Sequence, residues 1–163
     1  MGALKENVVL LLKNIFFLIK VPGTLAIYIP WFLVRNHLPS SGLWLTIAST
    51  LFVLGAGIYL WCMWDFAVFG RGTPAPIDEP KKLLVRGPYR LMRNPMYVGV
   101  VTIIVGWGVL FKTPVVLLYA SCVWVAFHLF VVFYEEPHLH KVFGGSYDHY
   151  RAKVSRWLPR VGR

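Results

Sequence analysis

The feature that most constrains this chain is the apolar run from Leu43 to Phe69, in which Asp65 is the only charged residue. As a helix it measures about 40 Å, longer than the ~30 Å hydrocarbon core of a bilayer. Asp65 therefore falls near a water interface. Two further runs follow. Pro95–Phe111 is just long enough to cross, and Pro114 to about Tyr134 crosses fully. An earlier apolar stretch, Val8 to Val34, carries Lys13 and Asn14 and is interrupted by Pro22-Gly23. It fits either one long kinked span or an interfacial helix followed by a short span. The expected fold is all-α: a multi-pass transmembrane bundle of about four spans with amphipathic interfacial helices, in one domain of 163 residues. Residues 1–69 supply its N-terminal helices and 70–163 its core.

Composition agrees. The chain is 57% hydrophobic and only 15% charged, whereas soluble domains are about a quarter charged. Its net charge of +10 would suggest nucleic acid in a soluble chain. No polar surface here interleaves basic and aromatic residues as a nucleic-acid reader requires, and that partner class is set aside. The excess is the Lys/Arg bias of cytoplasmic loops. Fifteen of the 17 basic residues lie in the N-terminal part, in 71–93 or beyond the last span, against Arg35 and Lys112 in the two opposite loops. Both termini and the large loop are expected to face the cytoplasm. Lys13 and Lys20 interrupt the first apolar stretch, and no small-residue cleavage site follows it, so it does not read as a cleaved signal. Cys62 and Cys122 lie inside apolar runs without metal-ligand spacing, so no metal is expected.

Local signals place the joints. Asn94-Pro95 reads as a helix start, Asn at the N-cap and Pro at N1. Lys112-Thr113-Pro114 reads as a tight reversal, which makes the third and fourth spans a close hairpin. After Glu135-Glu136-Pro137 the chain turns amphipathic, with a break at Gly144-Gly145.

Topology gathers the ionisable residues on one membrane face. Glu135 and Glu136 end the fourth span in a region otherwise rich in Lys and Arg, where a carboxylate opposes the helix dipole. A salt bridge to an arginine and a functional site are both open for them. His128, seven residues before Glu135, shares its face on a regular helix. It is either packed with a hydrogen bond across the bundle or a site residue. Asp65 is either a proton acceptor or the partner of Arg71. Tyr89 and Tyr97 sit at interface depth, and Gly99 leaves room for a close approach to the backbone.

One ordered set of residues resembles a known family. Arg86-Gly87-Pro88-Tyr89-Arg90-Leu91-Met92-Arg93-Asn94-Pro95-Met96-Tyr97-Val98-Gly99 is followed by Glu135-Glu136. Phe143-Gly144, Tyr147-Asp148-His149-Tyr150-Arg151 and Arg156-Trp157-Leu158-Pro159 come next. The set is similar to the isoprenylcysteine carboxyl methyltransferases and the related phospholipid N-methyltransferases, and its wording is closest to the bacterial type. The resemblance implies an S-adenosylmethionine-dependent membrane methyltransferase, with a lipid-like substrate entering from the bilayer. It implies a cofactor shell of Lys81, Lys82, Leu83, Leu84, Tyr89, Asn94, Pro95, Met96, Tyr97, Glu135 and Glu136. Where the acceptor must lose a proton, His128, Glu136 and Asp65 are the candidate bases. Two departures narrow the expectation. Asn94 stands where animal members have His, which removes proton transfer there, and Val131 stands where eukaryotic members place a substrate arginine. Phospholipid or amine N-methylation is therefore an alternative to carboxyl methylation. A non-catalytic scaffold that keeps the fold is the alternative from another class.

Overall fold

A computed structural model describes residues 20–70 and 83–159. Among them there is no strand. Helix α1 (Thr24–Val34) leads to α2 (Leu43–Phe69), and a single 3₁₀ turn (Gly87–Arg90) precedes α3 (Pro95–Phe111). Helix α4 (Pro114–Phe143) and the short α5 (Gly145–Lys153) complete the chain. Helices α2 and α4 are long and apolar enough to cross a membrane, while α1 and α3 are shorter apolar helices. The outward faces carry Val53, Trp61, Trp64, Leu118 and Phe133, all more than half exposed, as lipid-facing side chains are. The protein is an all-α membrane helix bundle.

The bundle is centred on α3. Without a hydrophobic drive between helices in lipid, close packing of small residues holds such pairs together. Gly55 of α2 and Gly99 of α3 meet face to face. A Cβ on Gly55 would lie 2.7 Å from the Gly99 carbonyl oxygen, and one on Gly99 would lie 2.8 Å from that of Gly55. What approaches Gly99 is thus a neighbouring helix. Farther along, Gly106 accommodates the ring of Phe52 and Gly108 the side chain of Leu117. The last contact closes the α3–α4 hairpin, which turns on Lys112 at a φ of 49° and on the buried Thr113.

Three local expectations are corrected. Asn94 occupies the N-cap position, yet its side chain makes no cap bond. Pro22-Gly23 is itself helical, with Gly23 at helical backbone angles, and the interruption falls one residue earlier, at Val21. The segment that would decide between the two readings of 8–34 lies outside the described residues. The fourth helix does not stop near Tyr134. It continues through Pro137 to Phe143 because Val131–Glu135 is wound as a π-turn, with the Glu136 amide bonded to the Val131 carbonyl. Pro137 then falls in the first turn of the following segment, where its missing N–H is tolerated.

Replacing Gly55 or Gly99 by Ala should overpack the α2–α3 contact by about 1–3 kcal/mol and lower the thermal midpoint in detergent. Gly57→Ala is the control, since nothing lies within 4 Å of its Cβ position. Equal midpoints for all three variants would remove the contact from this account.

Candidate functional site

The start of α3, the end of α4 and the C-terminal segment converge at one end of the bundle. Tyr97, in the first turn of α3, donates its hydroxyl to Glu135 Oε2 at 2.8 Å, and its ring packs on Phe127 at 4.6 Å between centroids. Tyr89, on the 3₁₀ turn, is buried with its ring edge-on to Phe66. Burial first, then the neighbouring Cys62, Glu135 and Tyr97, hold the Tyr89 hydroxyl well above its ordinary pKa, so it remains a neutral group. Tyr150 of α5 donates to the Tyr89 carbonyl at 2.7 Å and fixes that turn. Leu84 packs against the main core, whereas Leu83 packs against Tyr147, Tyr150 and Val154.

Glu136 is occupied differently from Glu135. Arg156 donates Nε to Oε1 at 2.6 Å and an η nitrogen to Oε2 at 3.0 Å, a two-pronged contact. Arg93 Nη1 approaches the same Oε1 at 3.0 Å and also donates to the Tyr147 hydroxyl at 3.1 Å. The carboxylate is thereby committed to two guanidiniums, and Glu136 raises the Arg156 pKa above its ordinary value.

A strap of residues 154–158 completes the latch. The Arg93 amide donates to the Ser155 carbonyl at 2.8 Å. Asn94 Nδ2 donates to the Arg156 carbonyl at 3.2 Å, which is why that side chain does not cap α3. Pro95 and Met96 are buried behind it. Trp157 packs on Trp124 at 4.4 Å and donates its indole N–H to His128 Nδ1 at 3.1 Å. The structure therefore seats His128 against the strap, while Glu135 meets α3. The π-turn lies between the two and adds about 100° of rotation, one residue at 3.6 per turn. That is enough to undo a shared face seven residues apart.

Asp65 stands at the far end of the cluster. It is 3% exposed and its Oδ2 has no hydrogen-bond partner. Gly87 covers it, in a left-handed conformation with φ of 49°, and a Cβ there would strike both Asp65 Oδ2 and the Trp61 indole nitrogen. Lys81, Lys82 and the Arg71 proposed for Asp65 lie outside the described residues. No group of three or more potential metal ligands occurs among the described residues.

A family model described as phospholipid methyltransferase matches residues 43–146, which include α2, α3, α4, Tyr97 and both glutamates. The chain belongs to the phospholipid methyltransferase family. Within it, the chain is 35% identical over 84 residues to a probable protein-S-isoprenylcysteine O-methyltransferase of Oryza sativa subsp. indica. That match covers 52% of this chain and 44% of the rice protein. Protein-S-isoprenylcysteine O-methyltransferases A and B of Arabidopsis thaliana are 36% and 34% identical over 85 residues, 52% of this chain and 43% of theirs. The matched part thus spans less than half the length of these curated relatives. The strap, with Arg156 and Trp157, lies beyond the stretch that the family model covers.

Sequence reasoning left open which arginines face Glu136 and gave Trp157 no contact. Arg93 and Arg156 are 63 residues apart, and only the folded strap brings them together. The signal available was an acidic pair in a basic region, which identifies the need for a cation but neither its source nor which glutamate takes it.

Glu136→Gln should leave Arg93, whose side chain is 9% exposed, without its anion. Removing one partner of a buried pair costs about 3–5 kcal/mol. Arg156→Gln should cost less, because that side chain is 32% exposed. Thermal unfolding of the purified variants checks the order, and an unchanged midpoint for Glu136→Gln would contradict the latch.

Proposed function

We propose that this protein is an S-adenosylmethionine-dependent methyltransferase of the membrane, acting on a hydrophobic or amphiphilic small molecule. The observation that carries the reading is the Glu135 carboxylate held by the Tyr97 hydroxyl where α3 begins. The donor set fits an amino acid joined to a nucleoside. It offers a carboxylate, neutral tyrosine hydroxyls, a helix start that its own Asn does not cap, and leucines beside the turn. When bound, the cofactor would supply an electrophilic methyl group on a sulfonium.

Each residue has a role that its chemistry allows. Glu135 receives the amino group or the ribose diol, oriented by Tyr97. Backbone N–H groups at Met96 and Tyr97 receive the carboxylate, since a helix N-terminus attracts anions. Tyr89 and Tyr97 offer rings to the cation. Leu83 and Leu84 face the base, with Lys81 and Lys82 in the same shell. Asn94, Pro95 and Glu136 shape the wall, because Asn94 and Glu136 are tied to the strap. Of the candidate bases, His128 accepts from Trp157 and Glu136 is ion-paired, while Asp65 keeps a buried oxygen free. The site and both termini face the cytoplasm, in agreement with the basic residues that crowd that side, and the source membrane is a bacterial plasma membrane. Carboxyl methylation is what the plant relatives are named for. Amine or phospholipid N-methylation is the second reading, favoured by the free Asp65 oxygen and by Val131 in place of an arginine.

Calorimetry with S-adenosylhomocysteine on detergent-solubilised protein tests the cofactor. Micromolar binding is expected, and Glu135→Gln should weaken it at least tenfold. Absence of binding to the wild type at millimolar ligand would sink the methyltransferase reading.

A further inference from the structure

The strap is tied to α4 at two points. Arg156 reaches Glu136, with Nε 2.6 Å from Oε1 and an η nitrogen 3.0 Å from Oε2. Trp157, the next residue, reaches α4 farther back. Its ring packs on Trp124 at 4.4 Å and on His128 at 5.9 Å between centroids, and its indole N–H donates to His128 Nδ1 at 3.1 Å. An indole N–H can only donate, so His128 is held as the tautomer whose Nδ1 accepts. His128 and Glu136 stand about 12 Å apart along α4 at the helical rise of about 1.5 Å per residue. The peptide between Arg156 and Trp157 is therefore pinned from both sides.

That peptide carries the carbonyl to which Asn94 Nδ2 donates at 3.2 Å. A peptide unit is planar, so the Arg156 carbonyl turns with the amide that begins Trp157. What this carbonyl holds is withheld from α3. Asn is among the preferred N-cap residues, and an N-cap side chain accepts from the second or third helical N–H. In α3 those N–H groups belong to Met96 and Tyr97, the two assigned above to the cofactor carboxylate. The buried Asn94 thus has two alternative partners. With the strap in place its amide faces Arg156, and α3 stays uncapped. With the strap released the side chain is free to cap α3 and to occupy the same two N–H groups.

We infer that Trp157 is a positioning residue for the cofactor. Held by His128 and Trp124, it keeps the Arg156 carbonyl on Asn94 and so keeps the start of α3 open to a carboxylate. Its effect passes through Asn94. The inference rests on the methyltransferase reading, since it concerns the same site. It adds a residue beyond the part of the chain that the family model covers.

The test compares two ligands by calorimetry on the detergent-solubilised full chain. They are S-adenosylhomocysteine and S-adenosyl-3-thiopropylamine, which lacks only the carboxylate. The wild type should bind the first about tenfold more tightly, the preference that a charge-assisted contact provides. Trp157→Phe keeps a ring for Trp124 and loses the N–H. It should reduce that preference severalfold, as a cap competing for the same N–H groups does, and leave thiopropylamine binding unchanged. Adding Asn94→Ala to Trp157→Phe should restore the preference, because no side chain is left to cap α3. A strap that only stabilises the fold gives the opposite pattern: both ligands weaken together, and the second substitution adds to the loss. His128→Leu should act as Trp157→Phe does, whereas His128→Asn, which keeps an acceptor near the Nδ1 position, should retain the wild-type preference. An unchanged preference in both Trp157→Phe and His128→Leu, or no recovery in the double variant, would overturn the assignment. If Trp157→Phe does not fold, His128→Leu with and without Asn94→Ala decides in the same way. A wild type that binds neither ligand contradicts the cofactor reading itself, whereas one that binds both equally contradicts this inference alone.

Discussion

The Glu136 carboxylate joins three parts of the chain that are far apart in sequence. It receives Arg93 from the entry to α3 and Arg156 from the strap, and it sits on α4 itself. A charge buried in a membrane protein is expensive unless paired, so the pairing fixes where the strap runs. The strap then fixes the rest. Asn94 is drawn away from capping α3, Tyr147 is held by Arg93, and Trp157 is pressed onto Trp124 and His128. Glu135, the next residue, is left facing α3 with Tyr97 as its partner. Two adjacent glutamates thus take different roles. One ties the strap to the bundle, and the other pairs with Tyr97.

The spans were legible because hydrocarbon imposes a length and a composition that no other environment does. The α3–α4 reversal was legible for a similar reason, since Lys112-Thr113-Pro114 leaves a hairpin few alternatives. The end of the fourth helix was not. Pro137 is a stop signal in a regular helix, and a five-residue π-turn ending two residues before it removes the conflict without any marker in the sequence. The same turn separates His128 from Glu135. That the start of α3, the end of α4 and the C-terminal segment meet was legible, because alternate ends of successive spans share one face of a bundle. Its pairings were not, because the choice among many arginines for Glu136 depends on tertiary contact, and so does the choice of Arg156's carbonyl for Asn94.

Family membership and the local geometry bear on different questions. The family model covers the helices and both glutamates, and it places the chain among membrane proteins that share this core. The plant relatives align with about half of this chain and less than half of themselves, so the methyl acceptor has to be argued from this chain's own residues.

In the function proposed above, the Tyr97–Glu135 corner delivers a methyl group to a molecule dissolved in the membrane. The most direct measurement incubates membranes from cells expressing the chain with methyl-labelled S-adenosylmethionine, extracts them with organic solvent and counts the label. Labelled product is expected in the organic phase, dependent on the chain and lost with Tyr97→Phe combined with Glu135→Gln. Label no greater than in membranes lacking the chain, or unchanged in the double variant, would contradict it.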